Sequence, residues 1–163
     1  MNKSVCNASD ATAVRGATPE DLNAISMLMD QYAALGNVLP RTKEEILRYI
    51  GDFYVIEVQS QVIGCGALEV FTDELVEIRS LMIENSHSGQ GYGRLLVEHL
   101  IEETRTRGFR RLFALTYVPE FFHKRGFETV SKDTFPEKVW GICVKCYKFN
   151  RCDEIAVQRS LQE

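Results

Sequence analysis

No apolar run in this chain approaches the roughly 18 residues that a bilayer span needs. Nor is there an excess of positive charge. Nineteen Lys and Arg stand against 23 Asp and Glu, a formal net charge of −4, with a pI near 5.5. Neither a membrane nor nucleic acid is therefore an expected partner. The first twelve residues are small and polar and lack an apolar core segment, so no signal peptide is expected and the cytoplasm is the expected compartment. No internal repeat or low-complexity stretch is visible. The five cysteines, Cys6, Cys65, Cys143, Cys146 and Cys152, are odd in number. In a reducing compartment they do not form a disulfide framework.

With 163 residues, 45% hydrophobic and 26% charged, the composition is that of one packed globular domain. A flexible tail over residues 1–11 and a single domain over 12–163 are expected. The pattern predicts a short strand at 13–17. Thr18-Pro19-Glu20-Asp21 then opens a helix, with Thr18 as cap and Pro19 at the first helical position. Leu22, Ile25, Leu28, Met29 and Tyr32 supply its apolar face, and Gly36-Asn37 ends it. A second capping box, Thr42-Lys43-Glu44-Glu45, precedes Ile46, Leu47, Tyr49 and Ile50. Three strands with short polar turns follow at 53–58, 62–71 and 75–83, which reads as an antiparallel meander. A helix over 92–107 places Leu95, Leu96, Leu100 and Ile101 on one side, with Glu103 and Arg107 as an i, i+4 pair. A strand at 111–116, a short helix at 119–125 and strands at 127–130 and 153–157 complete the chain. The order β-α-α-β-β-β-α-β-α-β-β implies an α/β (α+β) fold with a mixed, mostly antiparallel sheet flanked by helices and one strand–helix–strand crossover.

The most informative stretch is Ser88-Gly89-Gln90-Gly91-Tyr92-Gly93-Arg94. A strand runs into a glycine-rich turn that opens a helix, so backbone N–H groups can face a phosphate at a helix N-terminus. No G-x-x-x-x-G-K-[ST] run is present, and the spacing is not G-x-G-x-x-G, which excludes a P-loop and a Rossmann dinucleotide site. The run Ile78 to Leu96, with Gly91-Tyr92-Gly93, and the downstream Phe121-Phe122-His123-Lys124-Arg125-Gly126-Phe127 resemble two signatures of the GNAT N-acetyltransferases. The likeness extends over residues 13–160 and implies the GNAT acyl-CoA N-acyltransferase fold. It further implies that acetyl-CoA is held by Leu81, Met82 and Ile83 along the strand edge, by Ser88, Gly89, Gln90, Gly91, Tyr92, Gly93 and Arg94 in the turn, and by Phe122. Two positions depart from the family pattern. Ser88 stands where the family has Arg or Gln, and Phe122 stands where many members carry a tyrosine acid.

Acetyl transfer to an amine needs a base for the ammonium and a proton for the departing thiolate. Glu77 is the candidate base, although Glu77 and Arg79, two apart on one strand face, also make a structural pair. Thr116 or Tyr117, at the end of the 111–116 strand, is the candidate acid. Residues 62–68, 77–81, 113–117 and 120–122 further resemble the short form of the bacterial N-acetylglutamate synthases, which lacks an amino-acid-kinase domain. That likeness implies L-glutamate as acceptor and a place in arginine biosynthesis. A dicarboxylate calls for guanidinium partners, for which Arg79 and then Arg41 are the candidates. A small-molecule amino acid is thus the expected partner, and a homodimer is left open. Cys143-x-x-Cys146-x5-Cys152 offers three thiolates, where a structural zinc site takes four ligands. Cys65 or His123 would have to supply the fourth, and reduced thiols are the expected state.

Overall fold

The structure, a computed structural model, describes residues 11–36, 41–135 and 154–161. Residues 1–10 of the expected tail, Asn37 and the cluster of Cys143, Cys146 and Cys152 lie outside the described residues. Seven strands form one sheet in the order β1-β2-β3-β4-β5-β7-β6. They are β1 (Thr12–Gly16), β2 (Phe53–Val58), β3 (Gln61–Val70), β4 (Leu75–Ile83), β5 (Arg111–Thr116), β6 (Glu128–Val130) and β7 (Ile155–Ser160). The helices are α1 (Leu22–Ala34), α2 (Lys43–Arg48), α3 (Tyr92–Thr106) and α4 (Pro119–His123). β1–β2, β2–β3, β5–β7 and β6–β7 are antiparallel. β4 and β5, joined through α3, are parallel. The bonds Phe71 N–H to Leu75 C=O and Glu84 N–H to Ile63 C=O show that β3 and β4 also run antiparallel. The mixed, mostly antiparallel sheet expected from the sequence is therefore observed. No helix among the described residues is long and apolar enough to cross a membrane.

The chain divides into two compact units, residues 1–67 with 80–100 and residues 68–79 with 101–163. In the first, Ile25, Leu28 and Met29 of α1 and Ile46 of α2 pack on Phe53, Val55, Cys65, Ala67 and Met82 of the sheet. Both expected capping boxes form. The Asp21 carboxylate accepts from Thr18 N–H at 2.8 Å. Thr42 Oγ1 accepts from Glu45 N–H at 3.1 Å, and Glu45 Oε1 from Thr42 N–H at 3.0 Å. In the second unit Phe71, Leu75, Phe113, Phe135 and Ala156 form the core, with the rings of Phe113 and Phe135 stacked at 4.2 Å.

The structure corrects the sequence reading in several places. β1 and β3 each lie one residue earlier than expected, and β6 begins at Glu128. β7 begins at Ile155 and reaches Ser160, in register with all of β5 from Thr116↔Ile155 to Arg111↔Ser160. The helix of α4 stops at His123, and Gly126 at φ 88° turns the chain into β6. On α3 the buried positions are Leu96, Val97, Leu100, Ile101 and Thr104, whereas Leu95 is 39% exposed. Leu95 lies about 100° around the helix from Leu96, outside the stripe set by the 3.6-residue period.

β3 leaves no room at Gly64. A Cβ there would lie 2.5 Å from Ile83 Cδ1 and 2.9 Å from the Met82 carbonyl oxygen. Gly64→Ala should therefore overpack the sheet and cost about 1–3 kcal/mol, read as a lower midpoint in chemical denaturation with an unchanged slope.

One ionic group ties β1 and β2 to the start of the first helix. Arg15 forks onto Asp21 at 2.8 and 3.0 Å, and its Nε donates to Glu57 at 3.0 Å. Hydrogen bonding to Arg15 holds the Asp21 carboxyl below its ordinary range, against the opposing effect of burial. Because the folded-state pKa is the lower one, this stabilisation is complete above the unfolded value, about 4, and is lost as pH falls through the folded value. Stability should therefore fall on acidification below about pH 4. In Asp21→Asn that part of the pH dependence should vanish, as measured by urea midpoints across pH.

Candidate active site

β4 is the element that organises the candidate residues. It pairs with β5 over Leu75↔Arg111, Val76↔Leu112 and Glu77↔Phe113. Three residues further on, Ser80 has φ 54°, the left-handed region that non-glycine residues seldom occupy. Its carbonyl accepts a weak bond from the Cys65 thiol at 3.6 Å. An interruption of this kind within a strand redirects side chains and is a recurrent feature of functional sites. Nothing in the sequence at Ser80 signals it, since no glycine marks the position.

In the second unit, Glu77 is 7% exposed. Arg79 Nε lies 3.9 Å from Glu77 Oε1, while Arg79 Nη1 bonds Glu69 Oε1 at 2.7 Å. The spacing of two does put Glu77 and Arg79 on one strand face. Glu69, on the neighbouring strand β3, is the stronger partner and went unseen in the sequence, because the contact depends on how β3 and β4 align. Arg79 thus stands between two carboxylates and is four-fifths buried. At the end of β5, Thr116 is buried and its Oγ1 accepts from Val118 N–H at 2.9 Å. This fixes the hydroxyl and leaves its proton to be donated elsewhere. Tyr117 beside it is 39% exposed. Phe122 is buried edge-on between Phe121 and Phe127, with ring centroids 5.2 Å from each.

The glycine turn belongs to the first unit. Gly89 and Gly91 have φ of 76° and 90°, and a Cβ on either would meet no atom within 4 Å. Glycine is therefore needed there for backbone conformation and not for packing, and the turn presents bare main chain to open space. Ser88 N–H closes the turn before it onto the Asn85 carbonyl at 3.1 Å, and Gln90 Nε2 bonds the Ser86 carbonyl at 3.4 Å. The first bond of α3 runs from Leu95 N–H to the Gly91 carbonyl. The N–H groups ahead of it carry the positive end of a 15-residue helix with no acidic residue in its first turn. Arg94 faces Glu98 at 3.7 Å. Such a cradle suits a phosphate-bearing group. Along the strand that leads into it, Met82 is buried and Leu81 and Ile83 are half-buried. The Tyr32 hydroxyl bonds both main-chain groups of Ile83, a contact 51 residues apart in sequence. Arg41 directly precedes Thr42, the cap of α2.

Burial pushes the Cys65 thiol up to about 12, which makes it inert at neutral pH. His123 Nε2 lies at hydrogen-bond distance, 2.8 Å, from Thr129 Oγ1. Among the described residues no group of three His, Cys, Asp or Glu is placed to hold a metal ion.

Residues 50–129 match the acetyltransferase (GNAT) domain family. An uncharacterised N-acetyltransferase of Chlorobaculum tepidum is 40% identical over 150 residues, which cover 92% of this chain and 97% of that protein. An amino-acid acetyltransferase of Mycobacterium tuberculosis is 31% identical over 138 residues, 82% of this chain and 78% of the other. The structure of N-acetylglutamate synthase from Neisseria gonorrhoeae complexed with coenzyme A and N-acetyl-glutamate superposes with a TM-score of 0.84 at 31% identity. That match covers 93% of this chain, which spans only 35% of the synthase. Sheet order, glycine turn and these likenesses agree, and the chain belongs to the GNAT acetyltransferase family.

Proposed function

We propose that this protein transfers the acetyl group of acetyl-CoA to the α-amino group of an amino acid, with L-glutamate the first choice, in the cytoplasm and in the service of arginine biosynthesis. The observation that carries this reading is a buried carboxylate, Glu77, beside an arginine that is itself anchored by a second carboxylate. The amino-acid acetyltransferases among the relatives, and the synthase seen with coenzyme A and N-acetyl-glutamate, support it.

Acetyl-CoA brings the activated acyl group and a thiolate that must leave. The open turn at Gly89 and Gly91 and the start of α3 would hold its pyrophosphate, and the edge of β4 at Leu81 and Ile83 its pantetheine arm. Glu77 takes the proton of the substrate ammonium, directly or through one water, so that the free amine can attack. Its exclusion from solvent lets it act without a competing hydration shell. Arg79 supplies the cation for a substrate carboxylate. Its bond to Glu69 fixes one end of the guanidinium and so orients it before substrate arrives. Arg41 supplies the second cation for a dicarboxylate. Thr116 or Tyr117 returns a proton to the leaving thiolate. The Thr116 hydroxyl is held in place by the Val118 N–H.

The test is release of free CoA from acetyl-CoA across a panel of amino acids and short peptides. L-glutamate should give the highest kcat/KM. Turnover on peptides alone, or on an amine without a second carboxylate alone, would refute the glutamate assignment. Glu77→Gln should lower kcat by roughly 10²–10⁴-fold, the size expected when a general base is removed, with little change in the KM for acetyl-CoA. An unaltered kcat would remove Glu77 from the mechanism.

A further inference from the structure

The main-chain groups of Ile83 are engaged by a side chain from a distant helix. Tyr32, in the last turn of α1, donates its hydroxyl proton to the Ile83 carbonyl at 2.8 Å and accepts from the Ile83 N–H at 3.2 Å. The next residue, Glu84, gives its N–H to Ile63 of β3 at 2.7 Å. Successive main-chain groups of an extended strand point to opposite edges. Ile83 therefore presents its N–H and C=O on the edge of β4 that faces away from β3, and Tyr32 caps that edge five residues before Ser88.

One hydroxyl that accepts one bond and donates one satisfies the same pair of groups that a chain adding to a strand edge satisfies with the N–H of one amide and the C=O of the next. The pantetheine arm contains two such amides. We infer that Tyr32 is a positioning residue that competes with the pantetheine arm for the N–H and C=O of Ile83, and so sets how tightly the arm is held. This rests on the acetyl-CoA reading above. The number of hydrogen bonds at Ile83 is unchanged when the N–H of one amide of the arm and the C=O of the other replace the hydroxyl, while Tyr32 loses both of its own. Only the fraction of molecules with Tyr32 withdrawn is ready to take the arm, and the apparent affinity falls by that fraction. Tyr32 is held to the core cluster by partial packing of its ring, so the hydroxyl can leave while the helix stays in place.

The test compares wild type and Tyr32→Phe by calorimetric titration with two probes, CoA and adenosine bisphosphate, the nucleotide half of CoA without the arm. Phenylalanine keeps the ring and leaves only water at Ile83. CoA should bind roughly 3- to 10-fold tighter to the variant, the worth of about one net hydrogen bond, and adenosine bisphosphate should bind equally to both proteins. Unchanged or weaker CoA binding overturns the proposal, and so does a shift of the same size for both probes. If the variant does not fold, the structure of the wild-type CoA complex decides. The Tyr32 hydroxyl should lie beyond hydrogen-bond distance of both Ile83 groups, and persistence of both bonds with the arm in place overturns the proposal. Wild type that binds no CoA at all refutes the acetyl-CoA reading itself, a result visible before the variant is made.

Discussion

Every N–H and C=O of a buried strand needs a partner, and β4 meets that demand in a different way along each part of its length. Over Leu75 to Glu77 it pairs in parallel with β5. At Ser80 the regular ladder is broken by a left-handed residue. At Ile83 a tyrosine hydroxyl takes the place of a neighbouring strand. The strand then gives way to a turn whose glycines leave the backbone uncovered. The chain thus moves from paired main chain, through a left-handed residue, to main chain left uncovered.

The charged residues follow the same logic of local and not global balance. The chain carries a net charge of −4, yet what matters is the placement of single groups. Arg79 is held between Glu69 and Glu77, which keeps a buried carboxylate and a buried guanidinium in mutual compensation. Arg15 does the same for Asp21, but there the group serves the fold. It pins the entry to α1, the helix that brings Tyr32 to Ile83.

Much of this architecture was legible in the sequence. The bounds of β2, β4 and β5 follow from runs of β-branched and aromatic residues, and both capping boxes follow from local hydrogen-bonding chemistry. The glycine turn was legible because positive φ nearly requires glycine. What escaped depends on pairings across the sheet or on backbone forms without a residue signature. Gln59 and Ser60, both at positive φ, make the two-residue β2–β3 turn without the Asn-Gly that usually marks one. Glu69 was invisible because its role requires the β3–β4 alignment, and Tyr32 because it looks like one more apolar residue on a helix face. The end of β7 was misplaced because register with β5 fixes it, not its own composition.

The left-handed residue at Ser80 has a consequence for which side chains share a face. On β3, Cys65 and Ala67 alternate onto the side that packs with α1. In the second unit Arg79 meets Glu69. After Ser80 it is Met82 that joins the α1 cluster, while Leu81 approaches Gly66 together with Leu96 and Leu100 of α3. Ser80 therefore acts as a frameshift in three dimensions. A left-handed residue inside a strand breaks the alternation that would otherwise run through it.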